Sequence, residues 1–245
     1  MNHSLAAFEQ ALKSSRTTLQ LDTVLQQHLA KFNITTYSFT YYSYHLNSLN
    51  KLKYDVASPN FKIWHEHYLE QHYEEIDSTM EKVHRTNLPL FWDLQQQLKE
   101  ATSEKEKQMR LDSIHFGAEK GLSIPIHGPG GDFANFLVVQ MRNENCLDHW
   151  EELQYELLLT GYYYYSYLQL ILIKTQPCVE KSQLNKREMQ CLVLTSQRHS
   201  VSAIASKLNI TERTVNYHIQ RMNKKLGVKN KHQSVIRALQ QALIT

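Results

Sequence analysis

The chain has 245 residues, 42% of them hydrophobic, enough for one large domain or two ordinary ones with cores of their own. No run of about eighteen apolar residues supports a transmembrane helix, and the opening MNHSLAAFEQALKSS reads as an amphipathic helix rather than a signal peptide, so a cytoplasmic location is expected. The net charge of +3 hides a split: residues 179–245 carry twelve Lys/Arg against three Asp/Glu, a net of +9, while residues 1–178 carry fifteen against twenty-one, a net of −6. A basic segment behind an acidic one points to a polyanionic partner for the basic part, provided a suitable fold goes with it. The three cysteines, Cys146, Cys178 and Cys191, fit no zinc spacing and are odd in number, which argues against a disulfide framework. The densest histidine cluster is His65, His67 and His72, and the first two point to different sides of one helix. No metal or other cofactor is expected.

In chain order, residues 4–32 predict two helices, from Leu5, Phe8 and Leu12 and then Leu21, Val24, Leu25 and Leu29. The Thr/Tyr-rich stretch 34–44 predicts a strand with Tyr37, Phe39 and Tyr41 on one face. A second strand follows over 51–57, after an Asn/Ser-rich turn at 47–50. Phe61, Trp64, Tyr68 and His72 form one stripe of a helix over 61–75. Helices are expected over 90–101, behind Pro89, and over 105–119. Then the period changes. Residues 122–126 predict a short strand whose Pro125 marks an edge or irregular spot, residues 128–131 a Gly-Pro-Gly-Gly turn, and 133–141 a largely apolar strand. The glycine-rich turn lacks the Lys-Ser/Thr of a phosphate loop. One long helix over 147–173 closes the first domain, despite Gly161 and four consecutive tyrosines. This order fits an α+β class chain whose first domain, 1–173, is an α/β/α sandwich on an antiparallel sheet. Residues 174–180 read as a linker.

Residues 181–245 read as a four-helix domain. The first helix opens at Leu184–Glu188 and runs to about Thr195, the second spans 201–208, and the third spans 212–226 with Thr211 as N-cap and Gly227 as its stop. The fourth spans about 231–242. The middle pair forms a helix-turn-helix, with small Ala205 where the two helices must approach. The helix 212–226 would enter the major groove of duplex DNA. Its outer face offers Arg213, Asn216, Tyr217 and Gln220 to base edges, and Lys224, Lys225, Lys229 and Lys231 to phosphates.

Residues 184–244 resemble the DNA-binding domain of the LuxR-type transcription regulators along nearly its full length. The resemblance rests on Leu184, Arg187-Glu188, Leu192, Ile204-Ala205, Leu208, Ile210-Thr211, Thr214-Val215, His218, Lys225-Leu226-Gly227 and Gln233. It implies that Asn216, Tyr217 and Gln220 face bases and that Thr214 and Lys225 face the backbone.

A looser resemblance over residues 20–165 links the first domain to the acyl-homoserine-lactone-binding domain of the quorum-sensing branch. It is carried by Trp64, Tyr68, Asp77 and Trp92, at gaps of four, nine and fifteen, and by Gly121 in GLSIPIH. The resemblance implies a ligand held between sheet and helices. Trp64 would donate its indole N–H to the lactone carbonyl, Asp77 would accept the amide N–H, Tyr68 would lie by the amide carbonyl, and Trp92 would pack on the ring. An empty site would leave the Asp77 carboxylate buried at a cost. Read from its neighbours alone, Asp77 caps a loop beside Ser78-Thr79. The chain departs from the family at Asn60-Phe61, where a Tyr-Pro pair is usual, at Ser78 in place of proline, and at Leu137 in place of a serine or threonine that reaches the amide carbonyl. Leu137 would enlarge the apolar lining.

Three readings of the whole chain compete: a ligand-gated regulator, a DNA-binding regulator whose first domain only dimerises or binds a protein, and an enzyme. No nucleophile–base–orienter set supports the last. The expected partners are a near-palindromic operator in double-stranded DNA, a second copy of the chain, a small amphipathic signal such as an N-acyl homoserine lactone, and RNA polymerase. No membrane partner is expected.

Overall fold

The computed structural model describes residues 2–43, 51–128, 131–175, 184–240 and 243–244. They fall into two compact units, with the break after Thr175. The turn expected at 47–50, part of the turn at 128–131, most of the linker at 174–180 and Cys178 lie outside the described residues.

The first unit is built on a five-stranded antiparallel sheet, order β2-β1-β5-β4-β3, made of β1 (Thr36–Ser43), β2 (Lys51–Ala57), β3 (Leu90–Asp93), β4 (Ala118–His127) and β5 (Phe133–Met141). Alternation along each strand gives the sheet two faces. Tyr37, Phe39 and Tyr41 of β1 join Ala134, Phe136 and Val138 of β5 in the larger core, beneath α1 (Asn2–Ser14), α2 (Thr18–Ala30) and α7 (Trp150–Thr175). Gly161 lets α7 lie close to the sheet, since a Cβ there would sit 3.1 Å from Ile126 and Phe136. The other face carries α3 (Lys62–Glu70), α4 (Ser78–His84), α5 (Leu94–Glu100) and α6 (Glu104–Phe116), with a smaller core of Phe61, Trp64, Tyr73, Leu94, Met109, Ala118 and Val139.

Three expectations need correction. The helix expected over 61–75 ends at Glu70, because His72 adopts a left-handed conformation (φ 53°) before a single 3-10 turn. The stretch 90–101 begins as β3: Phe91 and Trp92 pair with β4, and Asp93 then caps α5 by accepting from the Gln96 N–H. The helix expected over 105–119 stops at Phe116 behind left-handed Gly117, so β4 starts at Ala118 rather than Leu122. Helix α4 was not anticipated; its N-cap is Asp77. Pro125 lies in β4 just beyond the residues that β3 pairs, where no ladder partner needs its missing N–H on that side.

The second unit contains α8 (Lys186–Ser196), α9 (Val201–Leu208), α10 (Glu212–Leu226) and α11 (Lys231–Gln240) around Cys191, Leu192, Ile204, Ala205, Val215, Ile219, Met222 and Leu226. Asn185 and Glu188 form a capping box at α8, Ser200 and Thr211 cap α9 and α10, and Gly227 ends α10 at φ 66°.

Candidate ligand cavity and DNA-reading helix

The layer α3–α6 leaves a partly open cavity against the sheet, lined mainly by apolar side chains. Trp64, Tyr68, Asp77, Trp92 and Leu137 all line it. Trp64 stacks on Phe116 and meets Tyr68 edge-on one helical turn later. Its indole N–H has no protein acceptor among the described residues. Trp92 crosses Gly121, where a Cβ would come within 2.1 Å of the ring, so only glycine admits this placement. The Trp92 indole N–H is committed to Ser123 Oγ at 3.0 Å.

Asp77 is not the unpaired carboxylate that the sequence suggested. Its Oδ1 accepts from the Thr79 N–H (2.8 Å) and from Arg110 Nη2 (2.7 Å), and its Oδ2 accepts from the Tyr68 hydroxyl (3.0 Å). Capping α4 and lining the cavity are therefore compatible. Arg110, 4% exposed, also reaches Thr79 Oγ1 (3.1 Å) and Glu106 Oε1 (3.3 Å). Glu106 in turn accepts from the Ser78 hydroxyl (2.5 Å) and the Thr102 N–H (3.3 Å). Burial alone would raise the Glu106 pKa, but Ser78, Thr102 and Arg110 outweigh it and hold the carboxyl below its ordinary 4.5. Burial, then the Asp77 charge, push the Tyr68 phenol well above 10, so Tyr68 remains a donor. A single buried cation thus bridges the two carboxylates Asp77 and Glu106.

Sequence reasoning missed Arg110, Thr79, Ser38, Ser123 and Asn135. One signal was available. The predicted strand placed Tyr37, Phe39 and Tyr41 on one face, which leaves Ser38, Thr40 and Tyr42 on the other. A polar face in a strand buried on both sides indicates a lined space rather than a packed core. Leu137 lines the cavity, and its neighbours across the sheet are Ser38 on β1 and Ser123 on β4, so hydroxyls flank it. Asn60 bonds Thr36 Oγ1 at 2.6 Å instead of facing a ligand. The histidines of the former cluster do not meet: His65 bonds Asp55 Oδ1 at 2.8 Å, and His72 stands near Glu74.

On α10, Val215, Ile219, Met222 and Leu226 are buried, which leaves Arg213, Asn216, Tyr217, Gln220 and Lys224 exposed on the opposite face. Thr214 is half-buried, its hydroxyl 2.9 Å from that of the N-cap Thr211. Tyr217 is held by Arg221, which donates to its hydroxyl at 2.9 Å. Lys225 is placed differently from Lys224: its ammonium donates to Glu188 Oε2 at 2.6 Å. Glu188 is fully buried, accepts also from the Asn185 N–H, and has Arg221 Nε at 3.4 Å. Burial would raise its pKa, but Lys225 and Asn185, with Arg221, hold it below 4.5. This cluster fixes α10 against α8, which sets the angle at which the exposed face is presented.

Comparison with known proteins bears on both units. Residues 23–168 match the autoinducer binding domain, and residues 182–238 match the bacterial regulatory proteins of the luxR family. The transcriptional activator AhyR of Aeromonas hydrophila is 23% identical over 183 residues, 74% of this chain and 70% of that one. The transcriptional activator AnoR of Acinetobacter nosocomialis is 26% identical over 185 residues, 74% of each. The crystal structure of Escherichia coli SdiA superposes with a TM-score of 0.76 over 98% of both chains at 17% identity, and SdiA in complex with octanoyl-rac-glycerol with 0.73 over 96% and 93% at 18%; at that identity the likeness speaks to the fold. The chain belongs to the LuxR family of quorum-sensing regulators, with an autoinducer-binding domain followed by a GerE-type helix-turn-helix domain. It is a DNA-binding transcription regulator of a ligand-responsive family. No described helix is long and apolar enough to cross a membrane.

Proposed function

We propose that residues 1–173 bind an N-acyl homoserine lactone, or a signal of similar polarity, in this cavity, and that occupancy controls operator binding by residues 181–245 of a cytoplasmic homodimer. The observation that carries the reading is the convergence of Trp64, Tyr68, Asp77 and Trp92 on one mostly apolar cavity. The unpartnered Trp64 N–H suits a ring carbonyl, and Trp92 offers the ring a flat floor. A ligand amide would exchange with an existing bond: its N–H takes the place of the Tyr68 hydroxyl at Asp77 Oδ2, and Tyr68 turns to the amide carbonyl. Ser38 supplies a hydroxyl beside Leu137. Acyl glycerol, the ligand in the SdiA complex, presents the same pairing of a polar head with an apolar tail.

On the DNA side, Asn216, Tyr217 and Gln220 read bases, with Arg213 beside them, while Thr214, Lys224 and Lys225 contact the backbone; Lys225 does so from its ion pair with Glu188. Two copies are needed because one such domain contacts too little DNA to select a site. The exposed stripe Tyr155, Leu159, Tyr162 and Leu170 on α7, and Ile236 and Leu239 on α11, suit self-association on a near-palindromic operator. RNA polymerase is the next partner for an operator-bound dimer. The test is a mass spectrum of a solvent extract of purified protein, with calorimetric titration of an acyl homoserine lactone. An acylated small molecule bound one per chain supports the reading; a protein that extracts empty and takes up no acyl ligand favours a first domain that only dimerises.

A further inference from the structure

Beyond the head-group residues, the cavity continues along the sheet to a second polar place. Same-face residues on a strand are about 6.8 Å apart, so on β5 the cavity wall runs from Val139, in register with Gly121 beneath Trp92, through Leu137 to Asn135. Asn135 is two such steps from the Trp92 row. It is 7% exposed; among the described residues its amide NH₂ meets only the Met80 sulfur at 3.6 Å, and its carbonyl Oδ1 is buried with no hydrogen-bond partner. Directly across from it in the β1–β5 register stands Thr40, also 7% exposed and also in the cavity wall. The Thr40 hydroxyl spends its proton on Asp55 Oδ1 at 3.1 Å, and Asp55 is held by His65 at 2.8 Å. What Thr40 has left is therefore an acceptor lone pair. Opposed side chains on a sheet lie about 5 Å apart at Cβ, so the Asn135 amide and the Thr40 lone pair are neighbours on the cavity wall. An unsatisfied buried acceptor is costly, and a purely apolar acyl tail would leave Asn135 Oδ1 unmet.

We propose that Asn135 and Thr40 form a subsite for a hydroxyl group carried on the acyl chain of the signal, well away from its head. This rests on the cavity being the acyl-chain site. The hydroxyl hydrogen is donated to Asn135 Oδ1, or is shared with Thr40 Oγ1. The residue pair then selects hydroxylated over plain chains, while Trp64, Tyr68, Asp77 and Trp92 select the head.

The experiment uses the full chain and calorimetry. The probes are N-acyl homoserine lactones of one chain length, plain or with a hydroxyl stepped along the chain, and monoacylglycerols bearing the same chains. The native protein should bind one hydroxylated isomer roughly three- to tenfold more tightly than the plain chain, with whichever head binds. Asn135→Val should abolish that preference and bind the plain chain at least as well as the native protein does. Thr40→Val, nearly isosteric, should reduce the preference. Plain chains that bind with no isomer preferred in the native protein would overturn the subsite and point to a resident water between the two residues. A preference that survives in Asn135→Val would overturn it too, as would failure of every probe to bind. Binding by the glycerols alone, with the preference intact, would sink the lactone head group and leave the subsite standing.

Discussion

In the first unit, Arg110 is buried between two carboxylates, Asp77 and Glu106, on the wall of a cavity. In the second, the arrangement is inverted: a single buried carboxylate, Glu188, is met by two cations, Lys225 and Arg221. The acidic cluster faces an internal space, and polar atoms around that space (Arg110 Nε, Asn135 Oδ1, Glu74 Oε2) have no hydrogen-bond partner among the described residues. The basic cluster reaches the surface through half-exposed Arg221, and Arg213, Asn216, Tyr217, Gln220 and Lys224 on α10 meet solvent. A site for a small molecule is thus written in buried polar groups left incomplete, whereas a site for DNA is written in exposed groups held at a fixed angle. The two kinds of site fail differently when mutated.

The largest effect should come from Arg110→Met. It leaves Asp77 and Glu106 buried without their cation, a loss on the order of 3–5 kcal/mol, and differential scanning should show the first unit melting far earlier with the second unaffected. Glu188→Gln is its counterpart. It removes the charge that holds Lys225, at about 3 kcal/mol; half-exposed Arg221 adds little. Because the folded Glu188 carboxyl is held below 4.5, its contribution is present above that pH and is lost as pH falls through the folded value. Acid melts of the native chain should show the second unit weakening in that window, and the Glu188→Gln variant should show a flatter profile.

The two units also differ in what could be read from residues alone. Helices α9 and α10 were legible, because the cap at Thr211, the stop at Gly227 and a clean 3.6-residue apolar period all agree. Strand β3 was not, because Leu90–Asp93 is four residues of aromatic and apolar sequence running straight into a helix, and only pairing with Lys120–Ser123 makes it a strand. The four aromatic and acidic cavity residues were visible only through the family resemblance; read from its neighbours alone, Asp77 is a cap. Arg110 was hidden, because nothing local distinguishes it from the other charged residues of α6, whose apolar stripe is weak; its burial is decided by Asp77, thirty-three positions away.

A middle-sized effect is expected from Gly121→Ala. The added methyl cannot coexist with the Trp92 ring, which must leave its place and its bond to Ser123. Acyl-ligand affinity should fall at least tenfold, with DNA contact by α10 untouched, as fluorescence of Trp92 and operator titration would report. The smallest effects should be on α10. Asn216→Ala should relax base preference at one operator position by about 1–3 kcal/mol, and Lys224→Ala should weaken specific and random duplexes alike and lower the salt dependence by about one unit. Equal loss of specific and random binding in Asn216→Ala would remove that residue from the base-reading set.

The account turns on Asp77 serving a ligand while already serving Arg110, Thr79 and Tyr68. Asp77→Asn keeps the side-chain oxygen that caps α4 and leaves Glu106 on Arg110, so the fold should survive. Calorimetry with an acyl homoserine lactone, beside a thermal melt of the same sample, is the direct test. The account predicts a near-native melt with ligand affinity roughly ten- to hundredfold weaker, the value of a charge-assisted bond. Unchanged affinity in a folded Asp77→Asn protein would contradict it and reduce Asp77 to the cap of α4.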